Sequence, residues 1–493
     1  MKLTVSCHVV LVVAGVSWLS RPVSAQPAPD APTPLFEIYG TLIPFVEYAQ
    51  AAGGTAQGTT GLASEVGPAL ITGAGLGARF RMDVGTSHLG FRGGVDLTDD
   101  LAAVWQIENG VPIDGSASAN TIASRNTQIG VKGSWGTVFF GNWDTPFKWA
   151  ASTMINPLRA GYISDYNGIL SGPGFGVATV VTQPGRVNAA ADAAFERRAG
   201  NSVQYWSPNI NGFAARIAYS IDEGKTTRTP TAPSIEPSLF SAALAYDIGP
   251  LKLRYAFDAH FDYFGMSQLG GSPGDTNTNR ASTDLGHRFI ASYTHEAPGF
   301  TTRVAGAFEY LSYKNDDTTP NAVRRHARAA GYGLIEQTLF GKSHVWAAFG
   351  LAAAGSCSIV GGAACSTEGL GANMGVLGYL YRWSKDTDFY AVTYRITNDP
   401  AATYATFPPL GATAAGADIS SFGIGMLHSF SVTVAKGSHR GKSASVPPPA
   451  PASAPASAPA PGSAPAPAPA PAPSTDPNAA PAPVLAPPPR PNP

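Results

Sequence analysis

The chain has 493 residues, only 13% of them charged, a net charge of −1 at pH 7 and a mean hydropathy of zero. Charge at about half the ~25% usual for soluble domains, with no concentrated basic surface, excludes a nucleic-acid partner. The longest apolar run of the mature domain, VWAAFGLAAAG (345–355), is well short of the ~20 residues a bilayer-crossing helix needs, so a helical membrane protein is excluded as well.

Residues 1–25 read as a secretory signal peptide: Lys2, the apolar run VVLVVAGVSWL (9–19), then the small-x-small site Val23-Ser24-Ala25. A short lead, 26–34, precedes a domain expected over 35–430. A basic linker follows at 431–446, opening with SVTVAKGSHRGK, and then a Pro/Ala-rich tail at 447–493. Proline this dense fixes φ and removes donors, so the tail is expected to be an extended, coreless spacer. At ~3.1 Å per residue it would reach ~150 Å.

Between these ends the sequence alternates with period two. VWQIEN (104–109) separates Trp105 and Ile107 from Gln106 and Glu108. GFAARIAYS (212–220) sets Phe213, Ala215, Ile217 and Tyr219 against Arg216 and small residues. LKLRYAFD (251–258) sets Leu251, Leu253, Tyr255 and Phe257 against Lys252, Arg254 and Asp258, and FYAVTYRI (389–396) sets Tyr390, Val392, Tyr394 and Ile396 against Arg395. Such alternation predicts strands with one apolar and one polar face. Sixteen are expected, near 35–48, 78–97, 101–111, 122–133, 136–143, 199–207, 212–221, 237–248, 251–261, 282–296, 300–313, 322–340, 342–355, 371–384, 386–397 and 417–430.

Alternation alone does not say which face is inside; connection lengths do. Tight turns at 98–100, around 134, and at 208–211, 249–250, 297–299 and 384–386 alternate with long Gly/Asn/Thr/Pro-rich loops. Those loops are 49–77, 112–121, 144–198, 222–236, 262–281, 314–321, 356–370 and 398–416. An even strand number with short turns at one end and long loops at the other predicts an all-β, sixteen-stranded antiparallel transmembrane barrel. Closure also removes the free edges of so many strands. Apolar faces then meet lipid, with Tyr48, Tyr219, Tyr293, Tyr390 and Phe430 in the interfacial girdles. Glu37, Glu47, Glu108, Arg216, Lys252, Arg254, Asp258, Arg303, Glu309 and Arg395 face a wet lumen. Once the signal peptide is removed, Cys357 and Cys365 remain, eight apart in a Gly/Ala/Ser loop of an exported chain. They are expected to pair as a disulfide, because no third ligand for a metal stands beside them.

The segments LFEIYGTLIPFVEYA, LGFRGGVDL, AAVWQIENG, RNTQIGVKGSWGTVFFGNWDTPF, NSVQYWSPNINGFAARIAYS and FGIGMLHSF, in that order, resemble the Gram-negative general porins of the neisserial and burkholderial type. The resemblance covers about 35–430. It implies a trimeric outer-membrane channel whose third loop, here 144–198, folds into the lumen as a constriction and carries Asp144, Asp165, Asp192, Glu196, Arg197 and Arg198. Arg92 in LGFRGG, Arg125 at the head of strand four, and Arg197 or Arg198 match the family's wall arginines. His88 in TSHLGFRG and Asn142 in FFGNWDTP stand where the family commonly has arginine. Each change removes fixed positive charge at pH 7, which suggests weaker anion preference, increasing in acid if His88 titrates. FGIGMLHSF is similar to the family's closing strand, which normally ends the protein on its Phe; here Phe430 is internal.

Passive diffusion of small hydrophilic solutes and ions is the function these readings favour. A substrate-specific channel is the alternative, as is a barrel that mainly tethers to peptidoglycan or a periplasmic partner through its tail. No G-x-S-x-G, H-E-x-x-H or P-loop motif occurs, so neither catalysis nor a cofactor is expected.

Overall fold

A computed structural model of the chain describes residues 36–54, 76–115, 122–157, 163, 165–174, 180–181, 194–221, 234, 236–263, 281–316, 318, 323–361, 365–406 and 414–435. The expected signal peptide, the lead, residues 436–446 and the Pro/Ala tail lie outside them.

Sixteen strands follow in chain order. They are β1 (Phe36–Leu42 and Phe45–Ala52), β2 (Leu76–Asp83 and His88–Thr98), β3 (Leu101–Gly110), β4 (Thr127–Gly133) and β5 (Gly136–Asp144). After the third long connection come β6 (Glu196–Trp206), β7 (Phe213–Ile221), β8 (Ser238–Ile248), β9 (Leu251–Phe261), β10 (Ser282–Ala297) and β11 (Phe300–Asn315). The last five are β12 (Val323–Leu339), β13 (Ser343–Ala352 and Ser356–Ile359), β14 (Ala372–Arg382), β15 (Thr387–Asn398) and β16 (Asp418–Ala435). Each pairs antiparallel with its neighbour, and β16 returns to β1, so the sheet closes into a sixteen-stranded barrel with no edge. Short turns join strands at one end, with Gly249 (φ 53°) and Gly299 (φ 83°) supplying the left-handed positions that hairpin turns need.

Several strand limits depart from the sequence reading, among them β6, which begins at Glu196 rather than 199. The first strand is interrupted at Ile43-Pro44, where proline has no N–H to give; the Ile43 N–H goes instead to Ser87 Oγ at 2.8 Å, in the matching break of β2. β4 begins at Thr127 rather than 122. β13 resumes as Ser356–Ile359 beyond Gly355 (φ 84°), pairing there with the start of β12. β16 runs on past Phe430 to Ala435, paired with β1 as far as Phe36, so Phe430 is not the end of the strand.

Large apolar side chains are exposed on the outward face of most strands. Phe80, Ile129, Phe140, Phe213, Leu244, Phe289, Phe308, Phe349, Leu377 and Phe422 form this belt, with Tyr48, Tyr219 and Tyr293 among them. β15 shows Phe389 there but carries a second apolar row. Its apolar residues Tyr390, Val392, Tyr394 and Ile396 are buried on the inward face, in one cluster with Ile163, Tyr166 and Ile169 of the third connection. Arg395 therefore points outward, paired with Asp418 at 2.7 Å, and is not a lumen residue; nor is Tyr390 in a girdle. The alternation was real, but the apolar face meets protein instead of lipid.

Candidate functional site

The third connection builds the interior. Thr145 caps helix α1 (Pro146–Ser152) by accepting the Lys148 N–H, and Pro146 supplies a preset φ at the first turn. Phe147, Ala150, Ala151, Met154 and Ile155 are buried against the inner wall. A virtual Cβ on Gly423 of β16 would lie 2.1 Å from Ile163 Cδ1, so that strand needs glycine for the segment to lie flush against it. The Thr403 N–H donates to Gly174 O at 2.7 Å, and Arg303 Nη1 donates to Met154 O at 2.6 Å. The connection thus contacts the inner faces of strands from β8 to β16.

One cluster lies on β1–β6. Arg92 holds Glu37 through Nε (2.7 Å) and Nη2 (3.0 Å), with its guanidinium 4.6 Å over the Tyr39 ring. Arg125 Nε holds Glu108 at 2.7 Å, and Tyr39 donates to the other Glu108 oxygen at 3.0 Å. His88 is buried beside them: Nδ1 is 2.8 Å from Thr86 O, and Nε2 is 3.9 Å from Glu108. Asp144 receives Arg198 (3.1 Å), Lys148 (3.0 Å) and Asn126 (3.0 Å), and Arg198 Nε also donates to Asn126. Asn142 Nδ2 donates to the Arg125 carbonyl at 3.2 Å. Arg197 Nε donates to the Ala194 carbonyl at 3.1 Å, and its guanidinium lies 4.9 Å over Tyr263. Of the two adjacent arginines, Arg198 joins the wall cluster. Arg81 pairs with Glu47, which also accepts from Ser421.

A second cluster holds α1. The Arg216 guanidinium stands 3.8 Å from the Trp149 ring of α1 and 3.8 Å from the Trp206 ring of β6. The Arg254 guanidinium lies 5.4 Å from the Trp149 ring centroid and pairs with Asp247. Lys252 is exposed on the same inward row. Arg303 pairs with Glu336.

The third cluster is fully buried between connection and wall. Arg288 of β10 donates to Glu309 (Nε 3.0 Å, Nη2 2.5 Å), to Glu196 (3.0 Å) and to Ser171 Oγ (2.7 Å), with its carbon 4.1 Å over the Phe147 ring. The Ser171 N–H donates to Glu309 at 2.8 Å. Arg328 donates to Glu309 (3.2 Å) and to the Gly172 carbonyl (2.6 Å), and the Tyr166 hydroxyl donates to Glu196. Asp165 caps the turn Tyr166–Gly168 rather than lining open space. Burial, with the Glu196 charge beside it, pushes its carboxyl up to about 7. Arg288, Arg328, Trp149 and Trp206 were not singled out from sequence. Arg288 was within reach, since it alternates with Phe289 in the β10 pattern. Cys357 and Cys365 are bonded, with Cα atoms 5.7 Å apart.

An edgeless barrel with an apolar exterior and an ion-paired interior defines an outer-membrane channel protein. Residues 10–435 match the family model described as Gram-negative porin, and the chain belongs to that family. It is 27% identical over 311 residues to the major outer membrane protein P.IA of Neisseria meningitidis serogroup A, covering 58% of this chain and 70% of that one. It is also 27% identical over 271 residues to outer membrane porin protein 32 of Delftia acidovorans, covering 52% and 63%. Among solved structures, the anion-selective porin from Comamonas acidovorans superposes with a TM-score of 0.57 at 19% identity, over 80% of this chain and 99% of that one. That likeness concerns the fold.

Proposed function

We propose that the chain is a passive diffusion channel for small hydrophilic solutes and ions, narrowed by the connection between β5 and β6, with weak preference for charge sign. The pairing of wall cations carries this reading. Arg81, Arg92, Arg125 and Arg198 each hold a carboxylate at ion-pair distance, so their fields largely cancel where a solute would pass. The Comamonas porin is titled anion-selective. This chain, with His88 and Asn142 where its family commonly places arginine, should be less so. Assembly as a homotrimer in the outer membrane belongs to the same proposal, as does a tail hanging on the periplasmic side, where the short turns lie, as a tether to peptidoglycan or a periplasmic protein.

Proteoliposomes swollen in sugars of graded size test it, with the zero-current potential measured in a potassium chloride gradient. Swelling that falls smoothly with solute size and does not saturate, with a potential near zero, is expected. Saturation by one solute class would favour a substrate-specific channel, and a large potential would overturn the weak selectivity.

A further inference from the structure

The connection between β13 and β14 is closed covalently by the Cys357–Cys365 bond. Cys357 stands opposite His326 in the β12–β13 ladder, and His326 is buried on the inward face. The bond therefore lies on the lumen side of the wall, at the long-connection end. Both cysteines are only half-buried, and SCSIVGGAACS surrounds them with small residues. Beyond Cys365 the chain forms a short strap, 366–371, that enters β14 at Ala372. Thr367 Oγ1 donates to the Gly355 carbonyl at 2.9 Å, and Leu370 is buried in one cluster with Ile169 and Ile396. The strap carries the last connection: the Asp399 N–H donates to Gly371 O at 2.9 Å, and the Ala401 N–H to Gly369 O at 2.8 Å. Asn398 Nδ2 fixes the same stretch through the carbonyls of Tyr404 (2.9 Å) and Ala417 (2.8 Å). The last connection in turn holds the third. Thr403 donates to Gly174 O at 2.7 Å, and a Cβ on Gly174 would stand 2.4 Å from the Tyr404 hydroxyl oxygen. Arg328, which holds Glu309, lies 5.6 Å over the Tyr404 ring. Disulfide, strap, last connection and third connection thus stand in series.

The long-connection end of such a barrel faces outward from the cell, where dissolved thiols have access to the bond. We propose that Cys357–Cys365 is a redox-operated staple of the outer mouth, opened by low-molecular-weight thiols outside the cell. A thiolate attacks one cystine sulfur, the S–S bond breaks and a mixed disulfide forms. A second thiol attacks the small-molecule sulfur of that mixed disulfide. Two protein thiols and one oxidised small disulfide result, with two electrons passed to the protein. Cutting the bond lengthens the free strap from 366–371 to 360–371. Doubling a loop lowers its closure roughly threefold; the full entropy of a cross-linked loop this size sets an upper limit of about 70-fold. Cys357 stays in the sheet when the bond opens, because its backbone pairs with β12, so the motion falls on the strap and the last connection. The oxidised chain holds the narrower mouth and the reduced chain the wider one. Only the current readout rests on the channel reading; the motion of the strap does not.

The test uses the full folded chain before and after dithiothreitol, with both thiols counted by iodoacetamide labelling and mass spectrometry. Hydrogen exchange of 399–406 and 170–174 should quicken by between about threefold and about 70-fold on reduction. Exchange of β9–β11 should not change. Unitary current in planar bilayers should become larger and noisier, and oxidised glutathione should restore the starting values. The double variant C357A/C365A should match the reduced chain and ignore dithiothreitol. A bond that resists dithiothreitol in the folded barrel would overturn the proposal. So would a reduced chain with unchanged exchange, or faster exchange with unchanged current. An oxidised chain that conducts nothing would instead count against the channel reading, with the exchange comparison still deciding whether the staple operates.

Discussion

Arg288 offers the sharpest perturbation. Its guanidinium satisfies Glu196 and Glu309 at once, with no solvent exposure for any of the three, and it also bonds Ser171 and covers Phe147. Arg288→Met removes the cation but keeps much of the volume, leaving the Glu196 carboxylate buried without its arginine and Glu309 with Arg328 alone. Breaking a buried ion pair by removing one partner costs about 3–5 kcal/mol. The seated-to-unseated ratio of the connection should then fall by a factor of about 10² to several times 10³. The barrel itself should survive, because its hydrogen-bond ladders run through other atoms. Single-channel recordings report the seat as current noise and transient larger conductance, and limited proteolysis reports it as cleavage within 145–195. The double variant R288M/E196Q, which removes the orphaned charge and leaves Glu309 paired with Arg328, should recover much of the wild-type behaviour. A quiet, protease-resistant Arg288→Met channel would refute this account of the clamp.

Four other outcomes follow from the same contacts. The Asp165 carboxyl is raised to about 7, so between about pH 4 and 7 the seated connection binds more protons than the free one. Its seat should weaken as pH rises through that window and level off above it, and Asp165→Asn should flatten this dependence in hydrogen exchange of residues 145–157. Trp149→Leu keeps an apolar side chain but removes one face of the Arg216 stack, worth ~0.5–2 kcal/mol; exchange of the α1 amides should quicken up to about 30-fold. Protonated His88 would face Glu108 across 3.9 Å, so acid should shift the zero-current potential only modestly toward anions, and His88→Gln should abolish that shift. A Cβ on Gly378 would lie 2.0 Å from the Trp346 ring, so Gly378→Ala should lower barrel stability by about 1–3 kcal/mol, read as a lower temperature of gel-mobility loss.

The sixteen strands were legible because each carries its own period-two signal and its own turn residues. LKLRYAFD needs no knowledge of its neighbours to be read as β9. The direction of a face is another matter. Tyr390, Val392, Tyr394 and Ile396 repeat every second residue whether they meet lipid or an in-folded segment, and only the position of Ile163 and Ile169 decides which. The interruption at Pro44 was available in principle from its missing N–H. The interior was less accessible, because its bonds join distant positions: the Ser171 N–H meets Glu309 from 138 residues away, and Arg288 meets Ser171 from 117. Spacing along the chain carries no trace of such pairs. The wall arginines were named through family resemblance, which pointed to Arg197 or Arg198 without separating them; in the fold Arg198 pairs with Asp144, whereas Arg197 Nε donates to the Ala194 carbonyl.

The central claim is a water-filled channel narrowed by its seated third connection. Single-channel conductance of the full chain in planar bilayers, measured beside a variant lacking residues 158–193, tests it most directly. Linear current in repeated unitary steps, with larger steps for the deletion variant, is the predicted result. Folded protein that inserts without conducting, or a deletion that leaves the unitary step unchanged, would contradict it.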